Sequence, residues 1–189
     1  MEITKSQFRK VVLHYRRLVD KAVYLNRNEL LCEQVESFLQ AINFRKMHTF
    51  LAIKRNHEPD LSELYPTLWD TEKELVISST DFETRQMRHY HFKDTTKLET
   101  NHLGIPEPVG ADEVSIADLD LIFVPLLITD KEGSRIGYGG GYYDSLLKET
   151  KAIKIGLSLS NPVDKIMQTD KWDIPLNFLI TPYKIYRYG

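Results

Sequence analysis

Apolar residues recur at helical spacing in the amino-terminal part of the chain. From Lys5 to about Asp20 they stand three or four positions apart, which places them on one face of an amphipathic helix. These residues are Phe8, Val11, Val12, Tyr15, Leu18 and Val19. The same period returns from Asn26 to about Gln40, so the pattern predicts a second helix there.

Short apolar runs replace the helical period further along the chain and indicate buried strands. They cover Met47–Ile53, Glu74–Ser79, Arg88–Phe92, Leu121–Leu127, Ile153–Leu159 and Phe178–Thr181. Helices are predicted from Glu58 to about Asp70, where Pro59 suits the first turn, and from about Tyr142 to Glu149. The segment Lys93–Val109 has the composition of a loop.

Strands that alternate with helices predict an α/β fold with a layered, mainly parallel sheet flanked by helices. The 189 residues suit a single compact domain over residues 1–189, with two small domains as the alternative. In such sheets ligands bind beyond the carboxyl ends of the strands. A glycine-rich turn, residues 133–141, follows the Leu121–Leu127 strand, so the sequence predicts a binding site at that end.

Charge and cysteine content narrow the classes of function. The formal net charge is −2, so there is no broad basic field and a nucleic-acid partner is not expected. Cys32 is the only cysteine, which excludes an intrachain disulfide and a thiolate zinc cluster and is typical of a reducing cytoplasm. The start of the chain is charged, and the longest apolar run is too short to span a bilayer. We therefore expect a cytoplasmic protein without a membrane partner, either a monomer or a small homo-oligomer.

The segment from Gly133 to Asp144 carries the residues best suited to chemistry. Four glycines in the five positions from Gly137 to Gly141 free the backbone to approach a ligand, and their N–H groups suit an anion. Arg135 adds a planar fork of donors for phosphate, and Asp144 offers a carboxylate for magnesium. The same residues also suit a tight turn and a helix-start carboxylate, so composition alone leaves both interpretations open. The spacing is that of neither a Walker A loop nor a Rossmann fingerprint.

Three blocks of the sequence resemble those of a known family, the 5-formyltetrahydrofolate cyclo-ligases, also called methenyltetrahydrofolate synthetases. The first is similar to the family signature and departs from it only in Ile136, where leucine is usual. It comprises Val124, Pro125, Asp130, Gly133, Arg135, Gly137, Gly139, Gly141, Tyr142, Tyr143 and Asp144. Lys5-x-x-x-Arg9-Lys10 and Gly104–Pro108 match two further blocks, in the family's order.

The resemblance implies a role for each matching residue. The ATP-binding residues would be Lys5, Arg9, Arg135, Ile136, Gly137, Tyr138, Gly139, Gly140, Gly141 and Tyr142. The substrate-binding residues would be Glu58, Glu107 and Tyr143, and the magnesium ligands Asp144 and Asp173. Arg135, Lys5 and Asp144 would be catalytic.

Each of these positions also has a structural interpretation. Lys5 and Arg9, four apart, could form a solvated basic helix face. Glu58 could be a helix-start carboxylate, and Glu107 a turn residue between two prolines. Asp173 could be a capping residue beside a packed Trp172.

The resemblance implies an ATP- and magnesium-dependent ligase that acts on a reduced folate. Its reaction would convert 5-formyltetrahydrofolate to 5,10-methenyltetrahydrofolate with release of ADP and phosphate, through phosphorylation of the formyl oxygen and ring closure by nitrogen 10. Two alternatives stay open: another small-molecule kinase or ligase with the same glycine-rich loop, and a non-catalytic nucleotide- or folate-binding module. The positions of Glu58 and the Gly104–Pro108 turn discriminate between these functions, because a folate enzyme needs them at the same cleft as the glycine-rich loop. His89 and His91, two apart, are interpreted as strand-surface histidines without a metal.

Overall fold

The computed structural model describes residues 4–167, 170 and 173–189, and its first two helices begin with side-chain caps. Thr4 and Gln7 form a capping box at the first helix, and the Asp20 carboxylate accepts the backbone N–H of Ala22 at 2.8 Å at the second. The helices are α1 (Lys5–Arg17), α2 (Lys21–Ala41), α3 (Tyr65–Trp69) and α4 (Tyr142–Lys148). Within the described residues, none of these helices combines the length and apolar content needed to cross a bilayer.

A seven-stranded, mostly parallel sheet forms the centre of the fold, as the sequence predicts. Its strands are β1 (Lys46–His48), β2 (Glu74–Asp81), β3 (Gln86–His91), β6 (Leu121–Pro125), β9 (Ile153–Leu157), β10 (Phe178–Ile180) and β11 (Ile185–Arg187). In space they follow the order β11-β10-β9-β6-β1-β2-β3. The five inner strands are parallel, and the antiparallel strands β11 and β3 form the edges.

The sheet is buried on both faces, which explains the continuous apolar run of β6. Phe123 lies in one core cluster with α2 residues such as Leu31, whereas Val124 lies in a second cluster with Leu146 of α4. Successive residues of a strand point to opposite faces, so one run of apolar residues serves both clusters. The layered arrangement places α2 and α4 on opposite sides of β6.

The strand predicted from Met47 and the helix predicted after it are both shorter than the sequence indicates. Strand pairing ends at His48 rather than Ile53, because the chain leaves the sheet and turns into a short 3-10 helix, Lys54–Asn56. The helix predicted from Glu58 was wrong in its start: α3 begins at Tyr65. The backbone at Asp60 lies outside any helix instead, and its N–H and C=O both bond the Asn28 side chain of α2 at 2.8 Å.

The segment predicted as a loop, Lys93–Val109, contains a two-stranded antiparallel sheet, so that prediction was wrong. Strands β4 (Lys97–Thr100) and β5 (Pro106–Val109) pair outside the main sheet. The residues of β4 are all exposed, and β5 contains two prolines. Neither strand therefore shows the apolar alternation from which a strand is predicted.

A short hairpin joins β6 to the glycine-rich turn. Its strands β7 (Ile128–Thr129) and β8 (Arg135–Ile136) pair antiparallel. The buried carboxylate of Asp130 accepts backbone N–H groups of Glu132, Ser134 and Ile166 at 2.9–3.0 Å. Asp130 thus organises the turn that delivers β8 and the glycines to the carboxyl end of β6.

The carboxyl-terminal tail has a structural role that the sequence did not reveal. Residues Ile185–Arg187 form the edge strand β11, and the Tyr188 hydroxyl donates a hydrogen bond to the Asp130 carbonyl at 2.9 Å. Gly133 has φ +87°, and an added Cβ there would lie 2.9 Å from the Tyr188 ring. The tail therefore packs over the Asp130–Gly133 turn and supports it.

Candidate active site

A cleft of about 750 Å³ opens at the carboxyl ends of β1, β2 and β6, where Thr49, Thr80 and Pro125 line it. Its walls come from α1, the 3-10 turn, the glycine-rich turn and the start of α4. The predicted site residues that line it are Lys5, Arg9, Glu58, Asp173 and all residues from Arg135 to Asp144. Segments from opposite ends of the chain therefore meet at one site.

Arg9 connects α1 to the glycine-rich turn. Its Nε donates a hydrogen bond to the Gly137 carbonyl at 3.0 Å, across 128 residues of sequence. Gly139 has φ +98°, and an added Cβ would come 3.0 Å from Cζ of Arg9. Only glycine combines that backbone conformation with so close an approach. The turn is therefore shaped to hold a guanidinium against its backbone.

Arg135 and Asp144 form an ion pair at the start of α4. Nη2 of Arg135 lies 2.6 Å from Oδ1 of Asp144, and Nη1 donates to the Ile174 carbonyl. The arginine side chain is 4% exposed and the aspartate 33%. Arg135 thus fixes the carboxylate of Asp144 from the protein side, while part of Asp144 stays open to the cleft.

A second ion-paired group lies at the amino end of α1. Nζ of Lys5 lies 2.6 Å from Oδ2 of Asp170 and 2.8 Å from Oδ2 of Asp173. Burial opposes the charged forms of Lys5 and Asp173, but the two aspartates raise the pKa of Lys5. The backbone N–H of Asp170, together with Lys5, lowers the pKa of Asp173. Asp173, a predicted magnesium ligand, therefore lies at the cleft beside Lys5. Trp172, the residue before it, lies outside the described residues.

Glu58 is a buried carboxylate at the floor of the cleft. It is 3% exposed, and its Oε2 accepts the backbone N–H of Ile53 at 2.6 Å. Burial raises the pKa of Glu58, while the Ile53 N–H and the Tyr138 hydroxyl favour its charged form. A carboxylate that faces the glycine-rich turn at Tyr138 is placed for a ligand, and it is not the helix-start residue of the alternative interpretation.

Comparison with known proteins identifies the family. The sequence model of the 5-formyltetrahydrofolate cyclo-ligase family matches residues 2–182. This chain belongs to that family. It is 28% identical over 137 residues to the 5-formyltetrahydrofolate cyclo-ligase of Escherichia coli (strain K12), which covers 69% of this chain and 75% of that one. The Haemophilus influenzae 5-formyltetrahydrofolate cyclo-ligase is 31% identical over 119 residues, covering 60% and 64%.

Solved structures agree with the family assignment. The NMR structure of Aquifex aeolicus 5,10-methenyltetrahydrofolate synthetase superposes with a TM-score of 0.83 and 32% identity, covering 98% of this chain and 93% of that one. The 5,10-methenyltetrahydrofolate synthetase of Mycoplasma pneumoniae gives a TM-score of 0.76 at 17% identity, covering 95% and 99%, and this second likeness shows the fold alone. The predicted α/β fold is confirmed.

Glu107 is the predicted site residue that does not line the cleft of this cyclo-ligase family member. Its neighbours Ile105 and Pro106 do line it, whereas Oε1 of Glu107 accepts the backbone N–H of Thr80 at 2.9 Å. The carboxylate therefore holds the 105–106 turn against β2. A contact between Glu107 and the folate stays a prediction.

A histidine–serine–histidine chain, of which His48 is fully buried, lies beside the cleft and was missed by the sequence analysis. Oγ of Ser78 lies 2.7 Å from Nε2 of His48 and 2.8 Å from Nδ1 of His89. Burial lowers the pKa of His48 to about 3, and it also lowers the pKa of His89. His89 is therefore partly buried and hydrogen-bonded rather than a plain surface residue. Pairing of β1, β2 and β3 brings the three together, and short-range spacing carries no signal for it.

The donor set suits magnesium, although the described residues contain no cluster of three potential metal ligands. Magnesium prefers oxygen ligands and is commonly held by one or two carboxylates, with phosphate and water oxygens completing the shell. Asp144 and Asp173 both line the cleft and supply such oxygens. Each also has a cation at hydrogen-bond distance: Arg135 pairs with Asp144, whereas Lys5 is shared by Asp173 and Asp170.

Proposed function

We propose that the chain is an ATP- and magnesium-dependent 5-formyltetrahydrofolate cyclo-ligase, converting 5-formyltetrahydrofolate to 5,10-methenyltetrahydrofolate with release of ADP and phosphate. Membership of the family supports the reaction. The proposal that ATP binds in this cleft rests on the 3.0 Å hydrogen bond from Arg9 to the Gly137 carbonyl. It brings the amino-terminal basic block and the glycine-rich block together at one wall of the cleft.

The phosphates of ATP would lie along this wall. Lys5 and Arg9 supply positive charge from α1, and the backbone of Gly137–Gly141 can come close to phosphate oxygens because four of its five residues are glycines. Phosphoryl transfer depends on positioning and on neutralising the developing charge more than on a protein nucleophile. We therefore propose no covalent enzyme intermediate.

Magnesium would be held by Asp144, with Asp173 as the second carboxylate of the same cleft. When bound, the ion would neutralise phosphate charge during transfer. Arg135 orients Asp144 from the buried side, which is a positioning role in addition to any contact with phosphate. Arg135 and Asp144 would therefore act together, with Arg135 orienting the carboxylate that holds magnesium.

The chemistry requires the formyl oxygen to become a leaving group. The γ-phosphoryl group of ATP would form a bond to that oxygen as its bond to ADP breaks. Nitrogen 10 would then attack the activated carbon, the carbon–oxygen bond would break, phosphate would leave, and nitrogen 10 would lose its proton. The protein must hold both substrates so that these atoms are in line, which is what two substrate regions in one cleft permit.

The folate would bind on the Glu58 side of the cleft. The buried Glu58 carboxylate can accept hydrogen bonds from N–H groups of a reduced pterin, and Tyr143 can pack on its flat ring. Glu58, Ile105 and Pro106 line the same cleft as the glycine-rich turn. Their position favours the folate reaction over another small-molecule kinase or ligase with a similar loop.

The absorbance of 5,10-methenyltetrahydrofolate tests the function. It should appear only when 5-formyltetrahydrofolate, ATP and magnesium are all present, with one ADP formed for each methenyl group. Product that appears equally fast without ATP would contradict the proposal, and so would ATP hydrolysis without ring closure. The cytoplasmic location and the oligomeric state stay predictions.

A further inference from the structure

One stripe of α1 forms a long wall of the cleft with cations at both ends. Lys5, Arg9, Leu13 and Arg17 stand at four-residue intervals, and all four line the cleft. At a rise of 1.5 Å per residue, the Cα atoms of Arg9 and Arg17 are about 12 Å apart along the helix. The phosphate region proposed above takes the Lys5 and Arg9 end, so Arg17 belongs to a different part of the cleft.

Arg17 contacts the 3-10 turn next to a second arginine in the sequence, Arg55. Nε and Nη2 of Arg17 donate to Oδ1 of the buried Asn56 at 3.0 and 2.7 Å. Arg55, the preceding residue of that turn, donates to the Leu103 carbonyl, and its guanidinium lies against Gly104, where an added Cβ would come 3.3 Å from Cζ. Both guanidinium groups are therefore anchored at the cleft by neutral oxygens.

The charges of these two arginines have no partner of opposite charge in the part of the chain that the structure describes. Among the described residues, neither Arg17 nor Arg55 forms an ion pair, whereas Lys5 and Arg135 at the other end of the cleft do. A guanidinium fork matches the geometry of a carboxylate. This end of the cleft is thus suited to an anionic group of a ligand.

Residues of the 3-10 turn and just after it differ in how deeply they are buried in the cleft. Glu58, close after Arg55 in the chain, is 3% exposed at the floor of the cleft, whereas Arg55 is exposed at its mouth. The apolar side chains of Phe82, Met87 and Leu103 line the cleft as well. A ligand with a flat hydrogen-bonding end, an aromatic middle and an anionic end has groups that match these three kinds of lining residue.

We infer that Arg17 and Arg55 bind the carboxylates of the glutamate portion of the folate, and so select folates over pteroates. The inference rests on the proposed function, because it takes 5-formyltetrahydrofolate as the substrate. The glutamate lies at the mouth beside Arg55, and the pterin lies inside beside Glu58. Further γ-linked glutamates would extend past Arg55 towards solvent.

Binding of two folate compounds separates this role from a general effect on the site. Calorimetry without ATP measures the Kd of 5-formyltetrahydrofolate and of 5-formyltetrahydropteroate, which lacks the glutamate. Wild-type protein should bind the folate more tightly, and Arg55→Gln should weaken folate binding about tenfold, or 1.4 kcal/mol, while the Kd of the pteroate is unchanged. Arg17→Gln should show the same selectivity. For Arg55→Gln, the KM for ATP should stay at the wild-type value.

Lys54→Gln is the matched control, since Lys54 is on the same turn, 80% exposed, and paired with Asp60 at 3.6 Å instead of lining the cleft. It should retain both Kd values. Equal binding of the two compounds by wild-type protein would overturn the inference, as would equal weakening of both in Arg55→Gln, or the same loss in Lys54→Gln. If wild-type protein makes no methenyltetrahydrofolate with ATP and magnesium, the proposed function fails, and the inference fails with it.

Discussion

Nη2 of Arg135 lies 2.6 Å from Oδ1 of Asp144, and this pair couples the buried side of the cleft to the carboxylate that we assign to magnesium. The arginine is almost fully buried and also holds the Ile174 carbonyl. It therefore connects β8, the start of α4 and the segment that carries Asp173. A change at Arg135 should affect both stability and chemistry.

Arg135→Ala should abolish most ATP-dependent ring closure and lower the free energy of unfolding by about 1–3 kcal/mol, because the Asp144 carboxylate and the Ile174 carbonyl lose their shared donor. Urea denaturation and the methenyl absorbance assay measure the two effects. The double variant with Asp144→Ala should lose less stability than the sum of the single variants. Additive losses, or a folded variant with full activity, would remove the pair from the scheme.

The glycine-rich turn offers a matched pair of substitutions. Gly139→Ala should weaken ATP binding strongly, because it places a Cβ at φ +98° and 3.0 Å from Cζ of Arg9. Gly137→Ala adds the same methyl group at a site without positive φ and without protein atoms within 4 Å. Its effect on the Kd of ATP, measured by calorimetry, should be smaller. Equal effects would show that the Arg9 contact is unimportant for nucleotide binding.

Magnesium dependence should follow Asp144. Asp144→Asn should raise the magnesium concentration for half-maximal activity about tenfold or more, because an amide is a weaker ligand than a carboxylate for a hard cation. Asp164→Asn is the control, since Asp164 is 91% exposed and pairs with Lys131. A titration of activity against magnesium measures both variants. An unchanged half-saturation point in Asp144→Asn would exclude this ligand role.

The sequence predicted the central strand β6 and the glycine-rich turn correctly, but it predicted the connecting segments less well. The apolar run at Leu121–Leu127 and the glycines after it carry strong local signals, and they lie at β6 and at the cleft. Pro59 is also typical of a helix start, but the backbone of the adjacent Asp60 bonds the Asn28 side chain instead of a helical partner. Contacts between distant segments decide such positions, and no local pattern encodes them.

The missed parts of the site have the same cause. From the sequence, Arg17 resembles the other surface cations of α1. Only the packing of α1 against the 3-10 turn brings it to Asn56. Ser78 reads as a plain strand residue, yet pairing of β1, β2 and β3 places it between two histidines. Glu107 carried a family motif, and the fold shows that its carboxylate serves the backbone of Thr80.

Stability should depend on pH through Glu58. Burial raises its pKa above the ordinary value of 4.5, so the folded state holds the proton more tightly than the unfolded state. This contribution to stability is complete below pH 4.5 and is lost as the pH rises through the folded-state pKa. Because Glu58→Gln cannot ionise, its free energy of unfolding should rise relative to that of wild type as the pH rises above 4.5. Its activity should be lower than that of wild type. Urea denaturation across pH measures this, and a difference that stays constant with pH would contradict it.

Acid sensitivity should depend on His48. Burial, with a smaller contribution from His89, lowers its pKa from 6.5 to about 3, so this contribution to stability is present above pH 6.5 and is lost as the pH falls towards 3. The loss has a limiting slope of about 1.4 kcal/mol per pH unit for one proton. His48→Gln should remove this slope, whereas His14→Gln, at an exposed position, should retain it. Identical pH dependence in wild type and His48→Gln would contradict the prediction.

Transfer of the formyl oxygen to phosphate tests the central proposal most directly. The substrate is 5-formyltetrahydrofolate with ¹⁸O in its formyl group, turned over with ATP and magnesium, and the released phosphate is examined by mass spectrometry. If the formyl oxygen receives the γ-phosphoryl group, each phosphate should carry one ¹⁸O atom. Unlabelled phosphate, formed together with methenyltetrahydrofolate, would contradict phosphoryl transfer to that oxygen.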